Sequence, residues 1–349
     1  MGTKAHLRNG HGLYQGTTSV VPVARNFMDQ ALAPANPQSA EAEAQVEVIA
    51  YGTSEDVPGY KAISETPSTN CALLFPLVGA LLLFVSVLNA QSTFLGMDRN
   101  DYPGDANMRG LKKTFAFTGY WLNNPPGASS NKWTGKRQTL EEMGYGFLLL
   151  FNGREYKELK ASGNASRLGI QDAGAAARTA RREGFHKQVI IFLDQEQGGR
   201  MLPEQRAYIH SFVDELKRAG FRAGIYCSGI PYRESGSATV ITANDIREHA
   251  EGRDIRFFIS NDQCGPSPGC VFPAQPPKPS DSGISFADAW QYAQSPRRPQ
   301  ITAACRQTYA SDGSCYPPGV ESGSGLYVDV DTATSADPSN ASTRSHDGH

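Results

Sequence analysis

Val189-Ile-Ile-Phe-Leu-Asp-Gln-Glu-Gln197 is the stretch on which the fold turns, with Gly198-Gly199 directly after it. Five apolar residues run without a break into Asp194 and Glu196. An apolar run of this length reads as a strand buried on both faces, as in the parallel sheet of an α/β protein. Residues i and i+2 of a strand project to the same side, so Asp194 and Glu196 should stand together, roughly 6–7 Å apart at Cα, at the strand's carboxyl end. Folds of the α/β class place their chemistry there. Two carboxylates held close in a partly dry site cannot both ionise freely, so one can stay protonated as an acid.

Outward from this strand, apolar runs alternate with helical patterns. Strands are expected at Phe94–Asp98, Phe115–Trp121, Tyr145–Phe151, Val189–Leu193, Arg222–Cys227, Arg256–Ser260, Ala289–Tyr292 and Leu326–Val330. Helices are expected at Lys136–Met143, Gln171–Glu183, from Pro203 onward, and at Asn244–Ala250. Pro203 suits a first helical turn, Tyr208, Phe212, Leu216 and Ala219 share one face, and Gly220 ends the run. Eight strands with intervening helices over about 240 residues predict a (β/α)8 TIM-type barrel. A doubly wound open sheet is the runner-up, weakened because no glycine-rich phosphate loop comes after the first strand.

The chain has 349 residues, with 33 Lys+Arg against 35 Asp+Glu. No basic stripe points to nucleic acid, and no acidic block to a solvating tail. Residues 1–70 lack sustained periodicity and are expected to be disordered, or an N-terminal extension that does not belong to the mature protein. Residues 71–90, CALLFPLVGALLLFVSVLNA, carry no charge. They fit either a secretory signal, with Ala90 at its end, or a membrane anchor. Pro76 and Gly79 disfavour a buried core helix. Either reading places the chain beyond Ala90 outside the cytoplasm, secreted or at the cell envelope. One barrel domain over 91–335 and a disordered tail over 336–349 complete the expected organisation.

The cysteines agree with export. Cys264 and Cys270, and Cys305 and Cys315, form two close pairs in loops rich in Pro, Gly and Ser. Paired cysteines in such loops read as disulfides of an oxidising compartment, and the local connectivity is the one expected among three. Neither spacing is CxxC and no His sits nearby, so a zinc site is the poorer explanation. No cofactor is expected. Cys227 reads as a small core residue.

A barrel would gather the polar residues of its strand ends. Asp98 ends the first strand, Asp194 and Glu196 the fourth, and Asp329 with Asp331 lies at the eighth. Asn261 and Asp262 close the sixth, and Gln291 lies within the seventh. Carboxylates beside Tyr120, Trp121, Trp290 and Tyr292 make a typical sugar-handling surface, with acids to cleave and aromatic faces to stack on. Against this, a lone strand-ending Asp is more often a cap or turn residue. Aromatics in strands are as often ordinary core. The Asp194–Glu196 pair is harder to dismiss, because two acids beside a buried apolar run cost stability unless a site uses them.

FLGMD at the first strand, IIFLDQE at the fourth, YIHSFVDELKRAGFRAGIYCSG after it, WQY at the seventh and YVDVDTA at the eighth together resemble the glycoside-hydrolase-like domain of unknown function 1906. That domain is related to the family 25 lysozymes (muramidases), and the resemblance covers about residues 94–333. It implies a TIM-type barrel in which Glu196 matches the general acid and Asp194 its neighbouring carboxylate. Asp98 matches the first-strand Asp, and Asp329 the Asp of an eighth-strand Asp-x-Asn. Asp331 stands where those lysozymes often have Asn.

The leading expectation is therefore an exported glycoside hydrolase acting on cell-wall or other polysaccharide, peptidoglycan included, by carboxylate acid/base catalysis. Tyr120, Trp121, Asn261, Trp290, Gln291, Tyr292 and Asp331 are the expected substrate contacts. A barrel that binds wall glycan without cleaving it is the alternative. A hydrolase assisted by Mg²⁺ or Ca²⁺ on the carboxylates ranks last.

Overall fold

A computed structural model describes residues 92–234, 238–262, 269–297 and 308–342. The expectations for residues 1–70 and 71–90, and for Cys264 and Cys305, fall outside the described residues. The elements in chain order are β1 (Phe94–Asp98), α1 (Asp105–Leu111), β2 (Phe117–Trp121), α2 (Arg137–Glu142), β3 (Gly146–Asn152), α3 (Tyr156–Ser162) and α4 (Ala165–Arg182). Then come β4 (Ile190–Asp194), α5 (Pro203–Arg218), β5 (Arg222–Ser228), β6 (Pro231–Arg233), β7 (Thr239–Ile241), α6 (Thr242–Glu248) and β8 (Ile255–Ser260). A short 3-10 turn at Pro279–Ser282, β9 (Ala289–Ala293) and β10 (Asp329–Ala333) complete the set.

Eight strands close into a barrel in the order β1-β10-β9-β8-β5-β4-β3-β2, while β6 and β7 form a small separate hairpin. The expected α/β barrel is thus the fold, with one departure. β10 runs antiparallel to both β1 and β9, whereas the other barrel pairs are parallel. It also lies three residues later than the sequence pattern places it. A parallel final strand needs a crossover that carries the chain back to the far end of the barrel. The described residues between Ala293 and Asp329 contain no helix, and the chain re-enters from the end at which β9 left it.

The two long helices, α4 and α5, are amphipathic. α4 starts earlier than its Ala/Arg-rich core suggests, because the Asn164 side chain accepts a hydrogen bond from the Arg167 N–H and caps it. α5 opens on Pro203 and ends before Gly220, which sits at φ +83°, as expected. Its buried face carries Tyr208, Phe212 and Leu216, each stabilising by roughly 1.5–3 kcal/mol through burial against the sheet.

Inside the barrel, side chains from alternate strand positions fill the space beneath the mouth. Phe192 meets Phe258 edge-on at 6.2 Å, and the Tyr226 ring lies 4.8 Å from Phe258. Gly224 makes room for this layer: a Cβ there would lie 2.3 Å from the Phe192 ring. Phe192, Tyr226 and Phe258 thus form an aromatic layer beneath the mouth.

Two expectations are corrected. Residues 336–342 are not a disordered tail. Asp337 Oδ1 accepts from the Phe147 N–H (2.8 Å), Ser339 Oγ from the Leu149 N–H (2.8 Å), and the Ser339 carbonyl from the Ile190 N–H (2.9 Å). The segment satisfies the starts of β3 and β4 on the sides that face each other, where their mutual pairing begins only at Leu149 and Ile191. The local disulfide pairing is also overturned, since Cys270 bonds to Cys315 with Cα atoms 5.2 Å apart. The loops before β9 and before β10 are already stitched together, with the Cys270 N–H donating to the Thr308 carbonyl (2.7 Å). Nearness in sequence was outweighed by nearness in space.

Candidate active site

The carboxyl-end mouth of the barrel collects acids from three strands and one loop. Asp98 closes β1 and pairs in register with Asp329, which opens β10. Asp194 closes β4, opposite Tyr226 of β5. Glu196 lies two residues further on. Asp331 lies one inward step deeper than Asp329, opposite Gly96 on one side and Gln291 on the other. Sequence alone placed Asp329 at the end of a parallel strand. It instead begins an antiparallel one, and the reversal brings it to the same mouth.

Gln291 is the hub of this arrangement. Its Nε2 donates to Asp98 Oδ2 (2.8 Å) and more weakly to Asp329 Oδ2 (3.4 Å), while its Oε1 accepts from the Tyr226 hydroxyl (2.7 Å). The tyrosine donor thus fixes which way the amide points, and the amide then fixes Asp98. The Asp329 carboxylate is held by the Ser295 N–H in a short hydrogen bond. Gly119 of β2 admits Asp98 to the interior, because a Cβ at that position would lie 2.6 Å from the Asp98 Cβ.

The carboxyls differ in how water reaches them. Asp98, Asp194 and Asp331 are buried, Asp329 is half-buried, and Glu196 is exposed on the mouth. One oxygen of Asp194 and both of Asp331 meet no hydrogen-bond donor. Among the described residues, no Lys, Arg or His acts on any of the five. Their titration reflects this. Burial pushes Asp98 up to about 6, against the donation from Gln291. Burial, then the charges of Glu196 and Asp98, push Asp194 well above the carboxylate range. Burial and then Asp98 do the same to Asp329 and Asp331. Glu196 rises too, through the protein mass around it and the Asp98 charge, although its side chain is open to solvent. A carboxyl raised above its ordinary range at a solvent-facing rim keeps its proton to higher pH and can hand it to a bound molecule.

Glu196 is carried on a loop tied down at several points. Gln197 Oε1 accepts from the Tyr156 N–H (2.7 Å) and from Gln205 Nε2 (3.2 Å). The Gly199 N–H donates to Thr242 Oγ1 (2.8 Å), and the Met201 N–H to the buried Asp245 carboxylate (2.9 Å). Such anchoring limits the freedom of the acid that the loop presents.

Several expected contacts are not part of this cluster. Tyr120 points away from the interior, fully buried among Trp133, Phe147 and Phe185, with its hydroxyl on Glu183 (2.5 Å). Trp290 and Tyr292 flank the inward-facing Gln291, so strand alternation turns both outward. They bond the Asn261 carbonyl (2.9 Å) and the Val271 carbonyl (3.1 Å). Trp121 shares the inward row with Gly119 but is covered, its Nε1 on the Arg99 carbonyl (3.2 Å). Asn261 is spent on the Ser282 carbonyl (2.8 Å). The expected aromatic platform is therefore core packing.

The sequence reading missed Tyr226, Gly119 and Arg297. Tyr226 could have been found by alternation, since it faces the same way as Gly224 and lies level with Asp194. Arg297 had no local signal: it is buried, forms a close ion pair with Asp262, and lies 4.6 Å from the Tyr309 ring. Its charge is matched by that of Asp262.

No family model matches the chain, and no curated protein matches it. Among solved structures, an uncharacterized B. stearothermophilus protein is similar at 18% identity over 69% of this chain and 95% of its own, with a TM-score of 0.41. The spore cortex lytic enzyme SleM of Clostridium perfringens is similar at 16% identity over 71% of this chain and 69% of its own, TM-score 0.42. The catalytic domain of endolysin ply40, from bacteriophage P40 of Listeria monocytogenes, gives 17% identity over 69% and 93%, TM-score 0.38.

Proposed function

We propose that this chain is an extracytoplasmic glycoside hydrolase of the lysozyme-like kind, acting on a cell-wall polysaccharide, with Glu196 as the general acid. The observation that carries this reading is the placement of Glu196, a raised carboxyl on the solvent side of a ring of buried acids at the barrel mouth. Glu196 protonates the glycosidic oxygen as the bond to the leaving sugar breaks. Asp194 lies one inward step behind it and offers an oxygen without a protein partner, placed to orient a substrate group. Asp98 and Asp329 hold water or sugar hydroxyls. The motifs that resemble the domain of unknown function 1906 and the family 25 lysozymes support the same assignment of roles.

The test is Glu196→Gln, assayed for release of reducing ends from purified peptidoglycan. A loss of roughly 10²–10⁴-fold with an unchanged melting temperature is expected. Unchanged hydrolysis in the variant would sink the assignment. Binding to the wall without reducing-end release, in wild type and variant alike, would favour the non-cleaving alternative.

A further inference from the structure

We propose that the β6–β7 hairpin is a clasp on the loop that presents Glu196, and that Tyr232 and Glu234 are positioning residues for that acid. The effect on turnover rests on the hydrolase reading, but the clasp itself does not. β6 and β7 are short strands that pair with one another in a sheet separate from the barrel. A two-stranded hairpin has little stability of its own, so its contacts with the rest of the chain decide where it sits.

Alternation decides which residues face inward. Tyr232 lies opposite the buried Val240, while Pro231, Arg233 and Thr239 are exposed. Residues 232 and 234 therefore project to the inner side together. Each meets the loop that carries Glu196. The Tyr232 ring lies along Gly198 and Gly199, where added Cβ atoms would stand 3.9 Å and 3.3 Å from it. Gly199 is at φ +99°, a backbone conformation open to glycine, and the loop passes close against the ring. Glu234 takes the next residue: Arg200 Nε donates to its Oε1 (3.0 Å) and a terminal guanidinium nitrogen to its Oε2 (3.2 Å). Such a two-pronged pair fixes direction as well as distance. The Glu234 N–H donates to the Ala238 carbonyl (2.9 Å), which keeps this acid in the hairpin frame. Thr242, directly after β7, completes the grip, since its hydroxyl accepts from the Gly199 N–H (2.8 Å) and donates to the Gly199 carbonyl (3.0 Å). Glu196 lies past the end of β4, so the course of this loop sets where its carboxyl reaches.

The experiment measures kcat and KM on solubilised peptidoglycan, and amide hydrogen exchange at Gly199, for wild type, Tyr232→Ala, Tyr232→Phe and Glu234→Ala. Tyr232→Ala is expected to lower kcat by about 10–100-fold while KM changes by less than about twofold. Exchange at Gly199 is expected to speed up, while exchange at Leu149 in the barrel keeps its rate. Tyr232→Phe, which retains the ring, is expected to restore most of the loss. Glu234→Ala removes a surface ion pair that adds little to stability. It is expected to shift both readouts in the same direction, and it decides the matter if Tyr232→Ala does not fold. An unchanged kcat with a raised KM would mean that Tyr232 touches the sugar instead of positioning the acid, and would overturn the proposal. So would wild-type exchange at Gly199 in both alanine variants. Faster exchange at Gly199 in a protein whose wild type releases no reducing ends supports the clasp and defeats only the hydrolase reading.

Discussion

Asp98 and Asp329 sit directly opposite one another across the antiparallel β1–β10 pair, and a single side chain, Gln291, donates to both. Like charges placed across a strand pair ordinarily repel. Here the repulsion is held in check by protons, since no cation serves the cluster among the described residues.

Stability should therefore depend on pH in an unusual direction. Asp98 moves from an ordinary 3.8 to about 6 on folding, so the native state binds its proton more tightly than the unfolded chain. That contribution is complete below about 3.8 and is lost as pH rises through about 6. Asp194, Asp329 and Asp331 are raised as well and extend the loss upward. Urea melts of Asp98→Asn against wild type should show a difference that changes by about 3 kcal/mol between acid and neutral pH. A pH-independent difference would contradict this account.

Gly119→Ala tests how tightly Asp98 is seated. The new methyl would lie 2.6 Å from the Asp98 Cβ, and one of the two strands must move. A stability loss of roughly 1–3 kcal/mol is expected. Hydrolysis, if the mouth is catalytic, should fall about hundredfold through displacement of Asp98 alone. Wild-type melting and turnover in this variant would show that the site is looser than its packing implies.

Ser339→Ala tests the return of the chain after β10. The Leu149 N–H loses its acceptor in a buried position, at a cost of roughly 1–3 kcal/mol. Hydrogen exchange at Leu149 should speed up selectively. Slow exchange there, with unchanged stability, would mean that another acceptor replaces the hydroxyl.

The Cys270–Cys315 bridge spans 45 residues of sequence. Cross-linking a loop of that size restrains the unfolded chain by about 4 kcal/mol at most. The Cys270→Ala/Cys315→Ala double variant should lose about 2–4 kcal/mol in denaturant melts. A difference below about 1 kcal/mol would leave the bridge without a stabilising role.

The long apolar strands were legible in the chain before any folding, because a strand covered on both faces leaves an unbroken hydrophobic run. Ile190–Asp194 and Gly146–Asn152 are the clear cases, and the acids at the ends of β1 and β4 came with them. Local signals also placed α5, between Pro203 and Gly220. Anything that depends on which strands meet was out of reach of the linear order. The direction of β10 is set by where the chain returns after β9, and that direction puts Asp329 opposite Asp98. The facing of Trp290 and Tyr292 is set by Gln291 pointing inward, and the partner of Cys270 by two loops that touch far from each other in sequence. The proton balance belongs to the folded barrel entirely. A carboxyl's charge state depends on the water it loses and the charges it meets, and only the closed barrel brings Asp98, Asp194, Asp329 and Asp331 to one mouth with, among the described residues, no cation acting on them.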